Sequence, residues 1–397
     1  DRIMRKCIKR IFKWLLISVL IGAIGGILGS VFHHCIEIVT HTREEKSWLI
    51  LFLPLAGLVI TALYNPFRSK GALNTNRILS SVEADDDVPI ILSPLIFVGT
   101  LITHLFGGSA GREGAALQLG GSIGYNIGRL IKLDKDEMHT IVMAGMSSFF
   151  SAMFGAPLTA AIFSLEVIKA KNTHRKSLLP CVISSATAYI IARFMGAEGI
   201  RFSVETVGIS WVVIAKIAIL AGLCALVSVV FCLAIKYISL YAKKLINNDY
   251  IKAVVGGAII ICFTLILRTT DYNGAGMSVI ERAMKGEASY EAFALKIIFT
   301  AVTIAAGFKG GEIVPVLFVG STFGCAFGGL LGIDPSFAAS LGFVALFSGV
   351  VKCPLASVAL AVEVFGGQGV LLYALACIEA YFLSGKFSIY EHKETCL

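Results

Sequence analysis

Apolar runs long enough to cross a bilayer recur along this chain, and they constrain its fold more than any single motif. A membrane helix needs about 20 mostly apolar residues, and such runs fall at 14–38, 47–64, 88–106, 138–168, 177–195, 208–238, 252–267, 290–306, 313–331, 335–351 and 353–383. Hydrophobic residues make up 56% of the 397 and charged residues 15%, against roughly 25% charged in a soluble domain. The expectation is an all-α, polytopic membrane protein. Runs 138–168 and 353–383 are too long for one crossing and contain Gly and Pro, so each is expected to be a pair of short or tilted helices.

Charge placement adds orientation. Arg2, Arg5, Lys6, Lys9, Arg10 and Lys13 precede the first run, which predicts a basic cytoplasmic segment over 1–13, since juxtamembrane Lys and Arg stay inside. That first run is too long for a signal-peptide core and lacks a small-residue cleavage site. The net charge of +8 is carried mainly at span ends, with no aromatic-interleaved basic stripe, so a nucleic-acid partner is not expected. None of the ten cysteines forms a C-x-x-C pair, and the histidines have no metal-ligand spacing. No metal and no cofactor are expected.

The chain contains itself twice. Ala156-Pro157-Leu158-Thr159 through Glu166-Val167 parallels Cys353-Pro354-Leu355-Ala356 through Glu363-Val364, an offset of 197. Leu119-Gly120-Gly121-Ser122-Ile123-Gly124 parallels Val319-Gly320-Ser321-Thr322-Phe323-Gly324, an offset of 200. Transporters built from internal repeats place their binding site where the repeats meet. The reading divides the chain into a first membrane repeat over 14–200, a second over 201–390 and a short tail at 391–397, with no cytoplasmic regulatory domain. Spacing alone leaves open whether the halves are parallel or inverted.

The chemistry gathers at Gly107-Gly108-Ser109-Ala110-Gly111-Arg112-Glu113-Gly114. A nucleotide loop would need a preceding strand, and a P-loop a Lys-Ser or Lys-Thr pair, and neither is present. Irregular backbone at membrane depth is tolerated only where it is packed in protein or lines a cavity, so this segment predicts a helix break facing a pore. Free N–H groups at the start of the next helix attract an anion there without a full positive charge. A carboxylate inside a membrane costs about 2.5–3.5 kcal/mol on insertion scales and marks a functional position. Glu113 can hold the anion's place while ionised and withdraw when protonated; the competing reading pairs it with Arg112 at a membrane surface. No Ser-His pair, H-E-x-x-H motif or paired aspartates support an intramembrane enzyme.

Gly111-Arg112-Glu113-Gly114, Gly155-Ala156-Pro157-Leu158 and Gly310-Gly311-Glu312-Ile313-Val314-Pro315 resemble the three landmark motifs of the CLC anion channels and transporters, in the family's order and across essentially the whole chain. The resemblance implies a CLC-type fold of two inverted-topology repeats with many tilted and broken helices. It also implies a homodimer in a lipid bilayer, the bacterial plasma membrane, with one anion path per subunit. Candidate surfaces between subunits are 177–195 and 369–383.

By resemblance Glu113 is the gating glutamate, with Gly111, Arg112 and Gly114 around the anion. Ile313 and Val314 supply amides, and Tyr390 supplies a hydroxyl. Two positions depart from the family. The chloride-contacting Gly-Ser-Gly-Ile-Pro loop is replaced by Ser69-Lys70-Gly71-Ala72-Leu73-Asn74-Thr75-Asn76, leaving Asn74 or Thr75 to line the site. Val167 stands where an inner proton-transferring glutamate is usual. This combination resembles the fluoride-exporting bacterial branch, although that branch's central-loop methionine is missing between 69 and 76. Fluoride/proton antiport is therefore expected first; a chloride/proton antiporter and a passive, voltage-gated-type chloride channel are the alternatives.

Overall fold

The structure is a computed structural model describing residues 2–70, 75–83, 86–168 and 174–390; the side chains of 2–10, 68–70, 83 and 174–175 lie outside that description. The basic side chains from Arg2 to Arg10, Asn74 and the 391–397 tail are therefore outside it as well.

Sixteen α-helices follow one another along the described chain. The first eight are α1 (Arg2–Glu45), α2 (Leu53–Tyr64), α3 (Thr75–Glu83), α4 (Leu92–Leu105), α5 (Glu113–Leu130), α6 (Lys135–Phe154), α7 (Pro157–Glu166) and α8 (His174–Phe194). The rest are α9 (Trp211–Leu245), α10 (Asp249–Leu267), α11 (Met277–Met284), α12 (Ala292–Ala305), α13 (Ile313–Leu330), α14 (Pro335–Val351), α15 (Pro354–Phe365) and α16 (Val370–Leu383). Short 3-10 segments, Ser47–Phe52 and Asn65–Lys70, flank α2. Segments 11–45, 47–67, 176–194, 211–245, 249–267 and 313–330 are long and apolar enough to cross a membrane, and large apolar side chains such as Leu226 and Val230 of α9 point outward. This is a multi-span membrane protein.

Both runs expected to break do so. Run 138–168 divides at Gly155, whose φ of 67° ends α6, and Pro157 starts α7 lacking only the N–H that a first helical turn does not need. Run 353–383 divides between α15 and α16 at Gly366 and Gly369, both with positive φ.

The helices repeat with the sequence. Helices α4 and α12 begin at 92 and 292, α5 and α13 at 113 and 313, α6 and α14 at 135 and 335. At α7 and α15 the offset is 197, because α6 has 20 residues and α14 has 17. Even the caps correspond: Asp134 accepts from Glu137 N and Asp334 from Phe337 N.

Tight glycine contacts set the packing in each half. A Cβ on Gly120 would stand 2.2 Å from the Gly145 carbonyl oxygen, and one on Gly320 would stand 2.3 Å from that of Gly342. Lipid gives no hydrophobic drive to helix association, so close backbone approach through small residues is what holds α5 to α6 and α13 to α14. An aromatic seam then joins the halves, running from Phe150 to Phe163 at 5.0 Å and on to Phe347 at 5.8 Å between ring centroids.

Candidate functional site

The Gly-rich segments before α5 and α13 cross each other at equivalent residues. Gly111 N donates to Gly311 O at 2.6 Å and Gly311 N to Gly111 O at 2.7 Å, an isolated antiparallel bridge. The same symmetry continues outward, with Ser109 N donating to Thr303 Oγ1 at 3.0 Å and Lys309 N to Thr103 Oγ1 at 3.1 Å. These exchanges satisfy backbone that would otherwise be unpaired at membrane depth. The crossing requires glycine: a Cβ on Gly311 would meet Gly114 N at 2.3 Å, and one on Gly114 would meet the Gly311 Cα at 2.7 Å.

Two helix N-termini therefore begin side by side in the interior. At the first, Glu113 is 1% exposed. Its carboxylate folds back over its own helix end, where Arg112 N donates to Oε2 at 3.0 Å, and Oε2 lies where a Cβ on Gly111 would be 3.0 Å away. The Arg112 side chain brings Nε to 3.4 Å from Oε1. The ion pair weighed from the sequence is present, but the carboxylate is sealed inside the protein. It sits where backbone amides and the helix dipole favour negative charge.

At the second N-terminus, Ile313 and Val314 are buried and no side chain caps the helix. Pro315 has no N–H, so the amides offered at this end belong to residues before it. Tyr390 is 4% exposed, its hydroxyl is buried without a partner among the described residues, and its segment is pinned by Ile389 N donating to Val350 O at 3.3 Å. Thr75, the first residue of α3, is buried and its Oγ1 accepts from Gln118 Nε2 at 3.0 Å. Thr75, Ile313, Val314 and Tyr390 are all buried, and the last three share one core cluster. Val167 is buried at the end of α7. Asn74, the other candidate of the central loop, lies outside the described residues.

Three residues were not singled out from the sequence. Glu312 caps α13 by position and interacts electrostatically with Tyr390; the offset of 200 pairs it with Arg112, so equivalent sites carry opposite charges. Gln118 touches Thr75. Lys296 is fully buried within α12, donates to the carbonyls of Tyr272 at 3.1 Å and Gly274 at 2.7 Å, and stands 5.0 Å from the centre of the Phe318 ring. A lysine inside an apolar run is itself a signal. His104, at the end of α4, lies within electrostatic reach of Arg43, Arg112 and Lys296. Among the described residues no group of three His, Cys, Asp or Glu could hold a metal ion.

Buried helix ends of this kind can hold a small anion, and the Glu113 carboxylate lies over one of the two. Comparisons with known proteins agree with it. The model of the voltage-gated chloride channel family matches residues 56–385. The chain is 31% identical over 390 residues to a chloride/fluoride channel protein of Pseudomonas syringae pv. tomato, covering 96% of this chain and 86% of that one. It is 26% identical to the H(+)/Cl(-) exchange transporter ClcA of Vibrio cholerae, covering 91% and 84%. The crystal structure of a CLC-type fluoride/proton antiporter superposes with a TM-score of 0.92 at 29% identity, covering 96% of this chain and 97% of that one.

Proposed function

Because the chain belongs to the voltage-gated chloride channel (CLC) family, whose members transport halides, we propose that it is a fluoride/proton antiporter in which Glu113 is the gating glutamate. The observation that carries this reading is the Glu113 carboxylate lying over the N-terminus of its own helix, against Gly111 and the Arg112 amide. Ionised, it occupies the position an anion needs. Protonated, it loses its attraction to those amides and frees them for the halide, so each anion passage is tied to a proton.

Fluoride is favoured over chloride by the names of the relatives, a chloride/fluoride channel protein and a fluoride/proton antiporter. The donors suit a small, strongly hydrated anion, which must be repaid for its lost water by several hydrogen bonds at once: the Ile313 and Val314 amides, the Tyr390 hydroxyl and the Thr75 hydroxyl. In this reading the protein is a homodimer of the bacterial plasma membrane with its N-terminus cytoplasmic, and each subunit has its own path. Exposed apolar side chains on α8 and α16, among them Leu178, Leu179, Ile378 and Phe382, supply the surface between subunits.

One observation favours a passive channel instead. Val167, at the inner proton position, is apolar and fully packed, so it cannot relay a proton. The deciding experiment is flux from proteoliposomes loaded with fluoride or chloride, with anion release and internal pH recorded together. Fluoride release with proton uptake supports the antiporter, chloride release with proton uptake moves the chain to chloride/proton exchange, and release without proton movement makes it a channel.

A further inference from the structure

We propose that Gln118 is a positioning residue for anion selectivity: it holds the Thr75 hydroxyl so that its proton is free to bind the fluoride that has passed Glu113. The proposal rests on the transport reading above and adds a residue to it.

The local packing explains why these two side chains meet. Gly121 of α5 has no Cβ, and a methyl group there would lie 2.2 Å from Ile78 Cγ2 of α3. Helix α3 can therefore settle directly onto the α5 backbone. Gln118 is one turn before Gly121, and Thr75 is one turn before Ile78. Bringing Ile78 onto Gly121 brings the first residue of α3 into reach of Gln118, and the 3.0 Å bond results.

That bond fixes the direction of the hydroxyl. Thr75 is the first helical residue of α3, one past the N-cap position whose side chain would turn onto the first-turn amides. Here the oxygen accepts from Gln118 Nε2, and Thr75 makes no other hydrogen bond to a described side chain. The hydroxyl proton is left for a third group. The start of α3 adds the positive end of its dipole, which favours an anion. Gln118 Oε1 is buried with no partner among the described residues, and the residue is only 3% exposed.

The position suits the path. Gln118 follows Glu113 by five residues on one helix, about 7.5 Å along its axis. In the transport reading, an anion leaving the Glu113 position moves along this length of α5 and meets the donor there. A preoriented hydroxyl matters more to fluoride than to chloride, because the smaller ion concentrates its charge and loses more hydration on entry.

The test is fluoride and chloride titration calorimetry on the purified full-length protein in detergent, with efflux from proteoliposomes run in parallel. Gln118→Leu and Thr75→Val are each expected to weaken fluoride binding about tenfold, the scale of one hydrogen bond to a charged group, and to weaken chloride binding less. The double variant is expected to be no weaker than the worse single variant. Gln118→Glu, whose carboxylate would take up the hydroxyl proton, is expected to lose fluoride binding and guards against a folding defect in the leucine variant. Unchanged fluoride affinity and unchanged preference in folded Gln118→Leu would overturn the proposal, as would singles that multiply in the double. If the wild-type protein binds fluoride with this pattern but moves no protons, the proposal stands and the antiport reading fails.

Discussion

Glu166 and Glu363 cap each other's helices. Glu363, near the end of α15, accepts from Leu158 N at 2.9 Å and Thr159 N at 2.8 Å at the start of α7. Glu166, at the end of α7, accepts from Leu355 N at 3.1 Å and Ala356 N at 2.8 Å at the start of α15. Each helix opens with a proline and has no capping side chain of its own. The exchange lets each half complete the other, and it explains why a Pro-Leu and Glu-Val spacing of nine residues occurs twice. The spacing carries the glutamate across one helix length to its neighbour's N-terminus.

The two caps are unequal, which gives a stability prediction. Thr159 Oγ1 also donates to Glu363 at 2.7 Å, whereas the equivalent residue opposite Glu166 is Ala356, without a hydroxyl. Losing a helix N-cap costs roughly 0.5–2 kcal/mol. Glu363→Ala is therefore expected to lower the melting temperature in detergent more than Glu166→Ala, and Thr159→Ala to remove most of the difference. Equal melting shifts for the two glutamate variants would show that the Thr159 bond contributes nothing.

Glu113→Gln is expected to leave a folded protein that releases fluoride without moving protons, at a rate independent of the pH gradient. The neutral amide keeps the size of the side chain but cannot change charge, and its attraction to the Arg112 amide is weaker than a carboxylate's. Simultaneous fluoride-electrode and pH recordings on proteoliposomes check this. Proton uptake that persists in the variant removes Glu113 from the gating role.

Crowding and backbone strain can be separated at two glycines. Gly311→Ala places a methyl 2.3 Å from Gly114 N, backbone against backbone, at the crossing of the two breaks. Little or no monodisperse protein is expected on size-exclusion chromatography. Gly307 has a φ of 95° but nothing within 4 Å of its would-be Cβ, so Gly307→Ala carries strain alone, on the order of 1–2 kcal/mol. It is expected to fold and melt earlier. Recovery of well-folded Gly311→Ala would mean that the crossing can open.

Much of this was legible in the sequence because the relevant signals are local. Apolar run length, Gly and Pro within runs, and the Gly111-to-Gly114 motif each describe their own neighbourhood, and the helix breaks fall where they predict. The repeat was legible as well, but its meaning was not. Offsets of 200 and 197 say that two segments are alike, while the bridge between Gly111 and Gly311 and the exchanged glutamate caps depend on where the halves meet in space. Glu312 was hidden inside a motif read for its family resemblance and for the Ile313 and Val314 amides, and Gln118 was hidden because a lone glutamine on a helix has no pattern until α3 is packed against it. Lys296 carried a signal, a charge within the 290–306 run, that a search for motifs passes over.

Lys296 supports the last prediction because two effects of its removal oppose each other in stability but not in transport. Lys296→Met strips the donor from the Tyr272 and Gly274 carbonyls, at a cost of about 1–3 kcal/mol for each buried group left unpaired. It also removes a buried ammonium with no carboxylate partner among its hydrogen bonds, and exchanging a buried charge for an apolar side chain of similar volume is often close to neutral. A small melting shift is expected. Transport has no such offset: Arg43, Arg112 and Lys296 act together on the region around His104, and removing one cation weakens the field that gathers anions near Glu113. Fluoride uptake by Lys296→Met is expected to be several-fold slower at low ionic strength, with the deficit narrowing as an inert salt screens the field and Lys296→Arg restoring most of the rate. A deficit unaffected by both salt and arginine would instead trace the loss to the unpinned 272–274 turn.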